Sequence, residues 1–321
     1  MAGSGRFEAG DGQSVVIAGG SKGLGRELAL KVVAQGANVI ILARGKEALE
    51  KTRDELLKVR KSDQQTVEAR SVDLSDAAKV DAFAASLETL PTALFCVAGG
   101  TADEVGFFAD ISCEDMRACF DRNYFSAAFI THSILRRWIA QPPATGESRH
   151  IILTASTAAF VCLPGYSAYT PTKTATRALA DTLRQELLLY RSQQEIRAHC
   201  AFPGTIYTDA FYEEQKRKPA LCKELEGSDK NLGGLSTSVV ADTLLAGLRR
   251  GNFFITMDMD TAILLNNMRG PSPRNIAVWD WILGFVGSLA WPFYRWQWDR
   301  ATIQHGKSLQ TPDGAKATKG Q

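Results

Sequence analysis

Short apolar runs alternate with helical stretches along most of this 321-residue chain, and this alternation constrains the fold more than any other feature. Strands of a parallel sheet that are buried on both faces have this continuous apolar character, and each needs a crossover helix before the next strand. The predicted strands lie at residues 14–18, 38–43, 66–72, 93–97, 150–155, 196–202 and 252–257. The pattern predicts an α/β fold, a doubly wound parallel sheet of about seven strands with helices on both faces.

The segments outside this pattern differ in composition, and they set the domain limits. We expect a flexible N-terminus at residues 1–12 and a single Rossmann-type catalytic domain at 13–270, with a mobile substrate flap at about 205–235. A hydrophobic extension follows at 271–303, and then a polar tail at 304–321. The formal net charge of +2 gives no reason to expect a nucleic-acid partner. The six cysteines have no metal-ligand spacing, so we expect reduced, mostly buried thiols and no metal site.

A glycine-rich loop connects the first apolar run to the first helical stretch. Glycine lets the backbone turn sharply, so a pyrophosphate can approach the free N–H groups at the start of the helix. Glycine spacing alone is a weak signal, but its position between a strand and a helix favours a dinucleotide site. The loop residues predicted to bind the cofactor are Gly19, Ser21, Lys22, Gly23, Leu24 and Gly25.

The end of the second apolar run distinguishes the two nicotinamide cofactors. Sites for NAD usually have an acidic residue there, which binds the ribose 2′-hydroxyl. This chain has Leu42-Ala43-Arg44 instead, so Arg44 could hold a 2′-phosphate, with Lys22 as a second cation. NADPH is therefore the expected cofactor, although both cations could also be ordinary surface residues. Asp73, after the third run, could bind the adenine amine or cap the next helix.

Ser156, Tyr169 and Lys173 together supply the groups needed for proton transfer. Tyr169 and Lys173 are four residues apart in a helical stretch, so their side chains lie one turn apart on one face. A lysine ammonium beside a phenol favours the phenolate and should lower the tyrosine pKa. Ser156 follows the fifth run, at the sheet edge where open parallel sheets bind ligands. Taken alone, Tyr-x-x-x-Lys could be a chance pair on a helix surface.

Several motifs occur in one order and spacing, and in this respect the chain resembles the short-chain dehydrogenase/reductase family. The motifs are Gly19-x-x-x-Gly23-x-Gly25, Asp73-Leu74, Ala98-Gly99, Asn123, Ser156, Tyr169-x-x-x-Lys173 and Pro203-Gly204. The resemblance implies that Tyr169 is the general acid, that Ser156 orients a ketone and that Lys173 binds the nicotinamide ribose. It also implies that Asn123 holds a proton-relay water. Further cofactor contacts implied in the same way come from Leu74, Ala98, Gly99, Pro203, Gly204, Ile206 and Thr208.

More narrowly, the chain resembles the members of this family that reduce 3-oxosphinganine, and three features carry this resemblance. They are the GGSKGLG loop followed by Arg44, the YSAYTPTK segment and the hydrophobic C-terminal extension. The resemblance implies an NADPH-dependent reduction of a long-chain lipid ketone by a homo-oligomer, either a dimer or a tetramer. The alternatives are a reductase of the same family for a steroid, retinoid or 3-oxoacyl substrate, and a non-catalytic NADPH-binding scaffold. The intact set of proton-transfer residues argues against the scaffold.

The segment 276–294 is apolar apart from one charged residue, Asp280. A helix of this length spans about 28 Å, close to the thickness of a bilayer core. Tryptophans near its ends, with arginines beside them, are typical of a membrane interface. We therefore expect membrane association, either spanning or interfacial, at the endoplasmic reticulum with the catalytic domain facing the cytosol. The alternative is a packed hairpin or a subunit contact, which its two glycines and its proline would suit.

Overall fold

The computed structural model describes residues 5–143, 147–226 and 233–309. The strands in these residues are β1 Ser14–Ala18, β2 Asn38–Ala43, β3 Val67–Ser71, β4 Ala93–Cys96, β5 Ser148–Thr154, β6 Glu195–Phe202, β7 Ile206–Tyr207, β8 Leu235–Ser236 and β9 Phe254–Thr256. The α-helices are α1 Gly23–Ala34, α2 Lys46–Val59, α3 Ala77–Ala85, α4 Cys113–Phe120, α5 Ser126–Ala140, α6 Tyr169–Glu186, α7 Asp209–Arg217, α8 Ala220–Glu226, α9 Thr237–Arg249, α10 Met259–Met268 and α11 Ala277–Leu309.

Seven of these strands form one parallel sheet in the order β3-β2-β1-β4-β5-β6-β9. The prediction of a doubly wound α/β sheet is therefore confirmed, and β7 with β8 forms a separate two-stranded ribbon. The chain starts at β1, runs outward to β3 and then crosses back to β4 on the other side of β1. This reversal opens a crevice at the carboxyl ends of β1 and β4, where open sheets of this kind bind ligands.

The core consists of two apolar layers, one on each face of the sheet. Neighbouring residues of a strand point to opposite faces, so Val16 packs in the layer under α5 and α6, while Ile17 packs in the layer under α1 and α9. Both side chains are fully buried. Burial of each such side chain contributes roughly 1.5–3 kcal/mol, which explains why the central strands β1 and β4 are apolar throughout their buried positions.

The structure describes part of each of three segments that the sequence sets apart from the regular pattern: the N-terminus, the flap and the polar tail. In the N-terminal segment, Phe7 is buried, with its ring centroid 5.6 Å from that of Phe95, and the expected flexibility of this segment stays a prediction. The expected flap contains β7, β8, α7 and α8, while residues 227–232 lie outside the described residues. The expected polar tail begins inside α11, and residues 310–321 of it lie outside the described residues.

The hydrophobic extension forms one long helix, α11, and one face of it packs along α10. Asp280 makes a buried ion pair of 2.5 Å with Arg269 and accepts a hydrogen bond from the Asn275 N–H at 2.8 Å. A Cβ at Gly284 or Gly287 would lie 2.9 Å from an atom of α10, so glycine at both positions lets the two helices approach closely. Within the described ranges, no helix combines the length and the hydropathy required to cross a membrane.

Candidate active site

A cavity of about 1480 Å³ lies at the carboxyl edge of the sheet. It brings together all the predicted site residues except Asn123. The predicted cofactor residues on its wall are Gly19, Ser21, Lys22, Gly23, Leu24, Gly25, Arg44, Asp73, Leu74, Ala98, Gly99, Pro203, Gly204, Ile206 and Thr208. The predicted catalytic residues on its wall are Ser156, Tyr169 and Lys173. Residues so distant in sequence meet because the carboxyl ends of parallel strands share one edge of the sheet.

The glycine loop has the backbone that an approaching pyrophosphate needs. Gly19 and Gly23 have φ angles of +96° and +53°, a conformation that residues with a side chain rarely adopt. A Cβ at Gly25 would overlap the carbonyl oxygen of Gly19. Lys22 is the N-cap residue of α1 but makes no side-chain capping hydrogen bond, so the first-turn N–H groups are available to an anion. The loop therefore fits a dinucleotide.

Arg44 and Asp73 lie at the far end of this wall, after β2 and β3. The Ser75 hydroxyl donates to the Asp73 carboxylate at 2.7 Å. This hydrogen bond, with that of the Ser75 N–H and the charge of Arg44, holds the pKa of Asp73 below its ordinary value. The N-cap of α3 is Asp76, which accepts from the N–H groups of its first turn. Of the two roles considered for Asp73, capping is therefore wrong, and cofactor binding stays a prediction.

Ser156, Tyr169 and Lys173 meet in the middle of the cavity. Tyr169 is the first residue of α6, and the Nζ atom of Lys173, one turn later, lies 5.4 Å from the centre of the Tyr169 ring. Lys173 Nζ also donates to the Thr154 carbonyl at 3.3 Å. The Ser156 hydroxyl, just beyond β5, accepts from the Ala158 N–H at 3.1 Å, which holds it beside Tyr169. The spacing in sequence thus places a phenol, an ammonium and a hydroxyl around one point.

Burial dominates the electrostatics of these groups. Burial raises the pKa of Tyr169, and the charge of Glu214 raises it further, whereas a hydrogen bond with Ser156 lowers it. Burial also lowers the pKa of Lys173 to about 8. The prediction of a lowered Tyr169 pKa is wrong for this geometry, because desolvation of the buried phenol is the largest effect on it. The phenol is protonated at neutral pH, as a proton donor must be.

Asn123 is buried behind the cavity and not on its wall. It lies in one π-helical turn, Asp121–Phe125, between α4 and α5, a feature that is frequent at functional sites. Its side-chain amide donates to the Gly100 carbonyl at 2.9 Å, and its oxygen accepts from the Gly100 N–H at 2.8 Å. Asn123 therefore braces the loop that follows β4. The proton-relay water implied by the resemblance stays a prediction.

The motifs give no sign of a polar cluster that borders the cavity beside Tyr169. Tyr166, Glu214 and Glu226 line the cavity there, and Lys218 lies between the two carboxylates. The ring centroids of Tyr166 and Tyr169 are 5.6 Å apart. The sole indication in the sequence is the density of charges in the expected flap, which the motifs do not distinguish from a solvated surface.

The end of the cavity away from the glycine loop is largely apolar. Its apolar wall comes from the loop after β5 and from α8, α10 and α11, and includes Val161, Leu163, Leu225, Ile263, Leu264, Val286, Ala290 and Trp291. The hydrophobic extension is thus part of the site. The cavity can hold a dinucleotide at one end and an apolar chain at the other, with the proton-transfer groups between them.

Known proteins resemble this chain in both sequence and fold. Residues 13–219 match the family model described as short chain dehydrogenase. The chain is 33% identical over 303 residues to 3-ketodihydrosphingosine reductase ksrA of Aspergillus fumigatus, a match that covers 87% of this chain and 80% of that protein.

Two solved structures share the fold. A short chain dehydrogenase/reductase from Burkholderia phymatum in complex with NAD has a TM-score of 0.67 at 23% identity, and the match covers 82% of this chain and 95% of that chain. A short-chain dehydrogenase from Sphingobium yanoikuyae in complex with NADPH has a TM-score of 0.66 at 20% identity, and the match covers 80% and 92%.

Proposed function

The chain belongs to the short-chain dehydrogenase/reductase family, and from this membership we propose that it reduces the lipid ketone 3-ketodihydrosphingosine (3-oxosphinganine) to sphinganine with NADPH. The similarity to a 3-ketodihydrosphingosine reductase over 87% of the chain is the main support for this substrate. The apolar end of the cavity gives a long alkyl chain a place beside the proton-transfer groups. The reaction would be a step of sphingolipid synthesis.

In the proposed reaction, Tyr169 is the proton donor. Its hydroxyl and that of Ser156 hold the carbonyl oxygen and polarise the carbonyl bond. When bound, NADPH supplies the hydride that the carbonyl carbon receives. Tyr169 then gives its proton to the alkoxide oxygen, Ser156 donates a hydrogen bond to the same oxygen, and the Lys173 ammonium stabilises the phenolate that remains.

Two cations support NADPH over NADH. Arg44 and Lys22 both lie on the cofactor wall, and both side chains are exposed to an incoming phosphate. An arginine at the end of β2 can form charge-assisted hydrogen bonds with a 2′-phosphate, which is absent from NADH.

A second face of α11 supports a site of action at a membrane. Its exposed apolar side chains recur every three or four residues and include Val278, Trp281, Phe285, Leu289, Phe293 and Trp296. We propose that this stripe lies in the interface of the endoplasmic reticulum membrane, with the catalytic domain in the cytosol. The opposite face of the same helix lines the cavity, so a lipid ketone could enter beside it. All six cysteines are unpaired, which suits a reducing compartment, and a dimer or tetramer stays a prediction.

The reaction is tested by NADPH consumption with 3-ketodihydrosphingosine in detergent, beside NADH and beside a steroid ketone, a retinal and a 3-oxoacyl ester. We expect turnover with the sphingoid ketone and NADPH, and no turnover by Tyr169→Phe, which should still bind NADPH. Full activity in Tyr169→Phe would refute the mechanism. A faster rate with one of the other ketones would refute the substrate, and equal rates with NADH would refute the role of Arg44.

Membrane binding is tested separately by flotation with vesicles of anionic and neutral phospholipids. The double variant Phe285→Asp/Leu289→Asp places two charges on the exposed stripe and should no longer float with the vesicles. Leu189→Asp is the matched control, because Leu189 is 75% exposed and lies on a different surface. Equal flotation of all three proteins would refute the interfacial role of α11.

A further inference from the structure

The polar cluster beside Tyr169 has no part in the proton transfer described above. Lys218 has no exposed side-chain surface, and its Nζ is 2.7 Å from Glu214 and also paired with Glu226. The Tyr166 hydroxyl donates to Glu214 and lies 3.4 Å from Glu226. Thr101 donates a further hydrogen bond to Glu214. The cluster is therefore a built arrangement and not a solvated surface patch.

The cluster has an excess of negative charge. It contains two carboxylates with 14% and 16% of their side-chain surface exposed, but a single ammonium. The neighbouring charges are paired elsewhere, Arg122 with Glu104 at 3.0 Å and Arg217 with Asp103. The ammonium of Lys173 is directed to a backbone carbonyl. Because an uncompensated charge is costly where solvent is scarce, the cluster favours a further cation in the adjoining cavity.

We propose that Glu214, supported by Glu226, binds the protonated amino group of a 2-amino ketone substrate. This inference rests on the proposed function for its substrate class, and it names the side chain that selects that class. In such a substrate the amino nitrogen lies about 2.5 Å from the carbonyl carbon, by ordinary bond lengths and angles. Tyr166 links the two sites, since its ring lies beside that of Tyr169 and its hydroxyl contacts Glu214. A ketone held at Tyr169 therefore has its amine beside the carboxylates.

The same arrangement connects substrate binding with proton transfer. The charge of Glu214 is one cause of the raised pKa of Tyr169. A substrate ammonium beside Glu214 offsets that charge, so Tyr169 becomes a stronger acid when an amino ketone is bound than when a plain ketone is bound. The cluster thus favours the amino ketone in the chemical step as well as in binding.

The first experiment needs no variant. It compares kcat/KM of the wild-type protein for 3-ketodihydrosphingosine and for 1-hydroxyoctadecan-3-one, which keeps the ketone, the hydroxyl and the chain but lacks the amine. A hydrogen-bonded charge pair of this burial predicts a preference of about 10- to 100-fold for the amino ketone. Equal kcat/KM values for the two ketones would overturn the inference and leave the ketoreductase assignment intact. Failure to reduce either ketone would overturn the proposed function itself.

The second experiment assigns the preference to Glu214. We expect Glu214→Gln to lose the wild-type preference of about 10- to 100-fold, so that its kcat/KM values for the amino ketone and the plain ketone lie within about threefold of each other. Glu213→Gln is the matched control, because the neighbouring Glu213 is 60% exposed and pairs only with Lys216 among the described residues. A structural role, in which the cluster only ties α7 and α8 to the domain, predicts an equal loss for both ketones, and that result would overturn the inference. Fluorescence titration with NADPH reports whether the variant is folded.

Discussion

Two buried histidines on the neighbouring strands β5 and β6 should make the protein sensitive to mild acid. His199 Nδ1 lies 2.7 Å from the Asn252 carbonyl, which can only accept, so this nitrogen holds the proton and Nε2 is the acceptor. His150 Nδ1, 3.1 Å from that Nε2, must then be a donor, and its own Nε2 accepts from the Ser148 hydroxyl. The chain of hydrogen bonds fits two neutral rings, and a proton added to His199 Nε2 would face the N–H of His150, so two donors would oppose each other.

The geometry explains the direction of both pKa shifts. Burial lowers the pKa of His150 from 6.5 to about 3, with His199 and Arg197 adding to the effect, and burial lowers that of His199 to about 4. Below pH 6.5 the unfolded chain therefore binds protons that the folded protein excludes, so stability is complete above this pH and falls as the pH decreases towards 4. At pH 5.5 each histidine costs about 1.4 kcal/mol and the pair about 2.8 kcal/mol.

Urea unfolding followed by tryptophan fluorescence between pH 7.5 and 5.5 measures this loss. Few other groups with a shifted pKa change the free energy of unfolding in this pH range. The lowered pKa of Lys173 makes stability depend on pH only above about pH 8, and the lowered pKa of carboxyl groups such as Asp73 does so only near pH 4. The variant His150→Gln/His199→Asn should be less stable at pH 7.5 but lose about 2.8 kcal/mol less on acidification. His132→Gln, at an exposed position of α5, is the control. Equal losses in the wild type and the double variant would refute the argument.

Three further predictions concern the cofactor loop and the C-terminal helix. Arg44→Ala should raise the KM for NADPH by about 10- to 100-fold and change the KM for NADH little, and steady-state kinetics with both cofactors would measure this. Gly25→Ala places a methyl group against the Gly19 carbonyl and should weaken NADPH binding at least about tenfold in a fluorescence titration, while an unchanged Kd would contradict the role of the loop. Asp280→Ala leaves the buried Arg269 unpaired and should cost about 3–5 kcal/mol in urea unfolding, with earlier proteolytic cleavage in α11; unchanged cleavage would contradict the anchoring role of the pair.

The strand framework could be predicted from the sequence because most of the strands are apolar runs that alternate with helical stretches. The predicted limits of the first two runs, 14–18 and 38–43, are those of β1 and β2. The last strand is shorter than its run, because the Asn252 carbonyl bonds to His199 and the ladder begins only at Phe254. The motif residues meet at one edge for the same reason, since their positions at strand ends follow from the fold.

Local deviations and long-range contacts could not be predicted in this way. The capping pattern Ser112-x-x-Asp115 predicts one helix through about Trp138, and the cap is present, with the Asp115 N–H 3.0 Å from the Ser112 hydroxyl. A π-helical turn nevertheless interrupts this helix at Asp121–Phe125. A π-helical turn adds one residue to the helix and rotates the following side chains by only about 100°. In a stretch of mixed apolar and polar residues, such a small rotation leaves no recognisable change in the sequence pattern. The reason for the turn is clear only from the structure, in which the turn places the Asn123 side chain against the backbone of Gly100.

The residues of the cofactor wall could be predicted from the sequence and those of the substrate wall could not, and this difference has a physical cause. Hydride and proton transfer require groups at fixed positions on strand ends and on one helical turn, so their spacing in sequence is fixed and readable. A substrate wall requires only apolar surface and one charge, which many positions on α7, α8, α10 and α11 could supply. Glu214 is 48 residues from Tyr166 in sequence, and nothing local relates them. Their contact exists because α7 packs over the active site, and substrate selectivity is therefore a property of tertiary structure, best tested at Glu214 with the catalytic residues left unchanged.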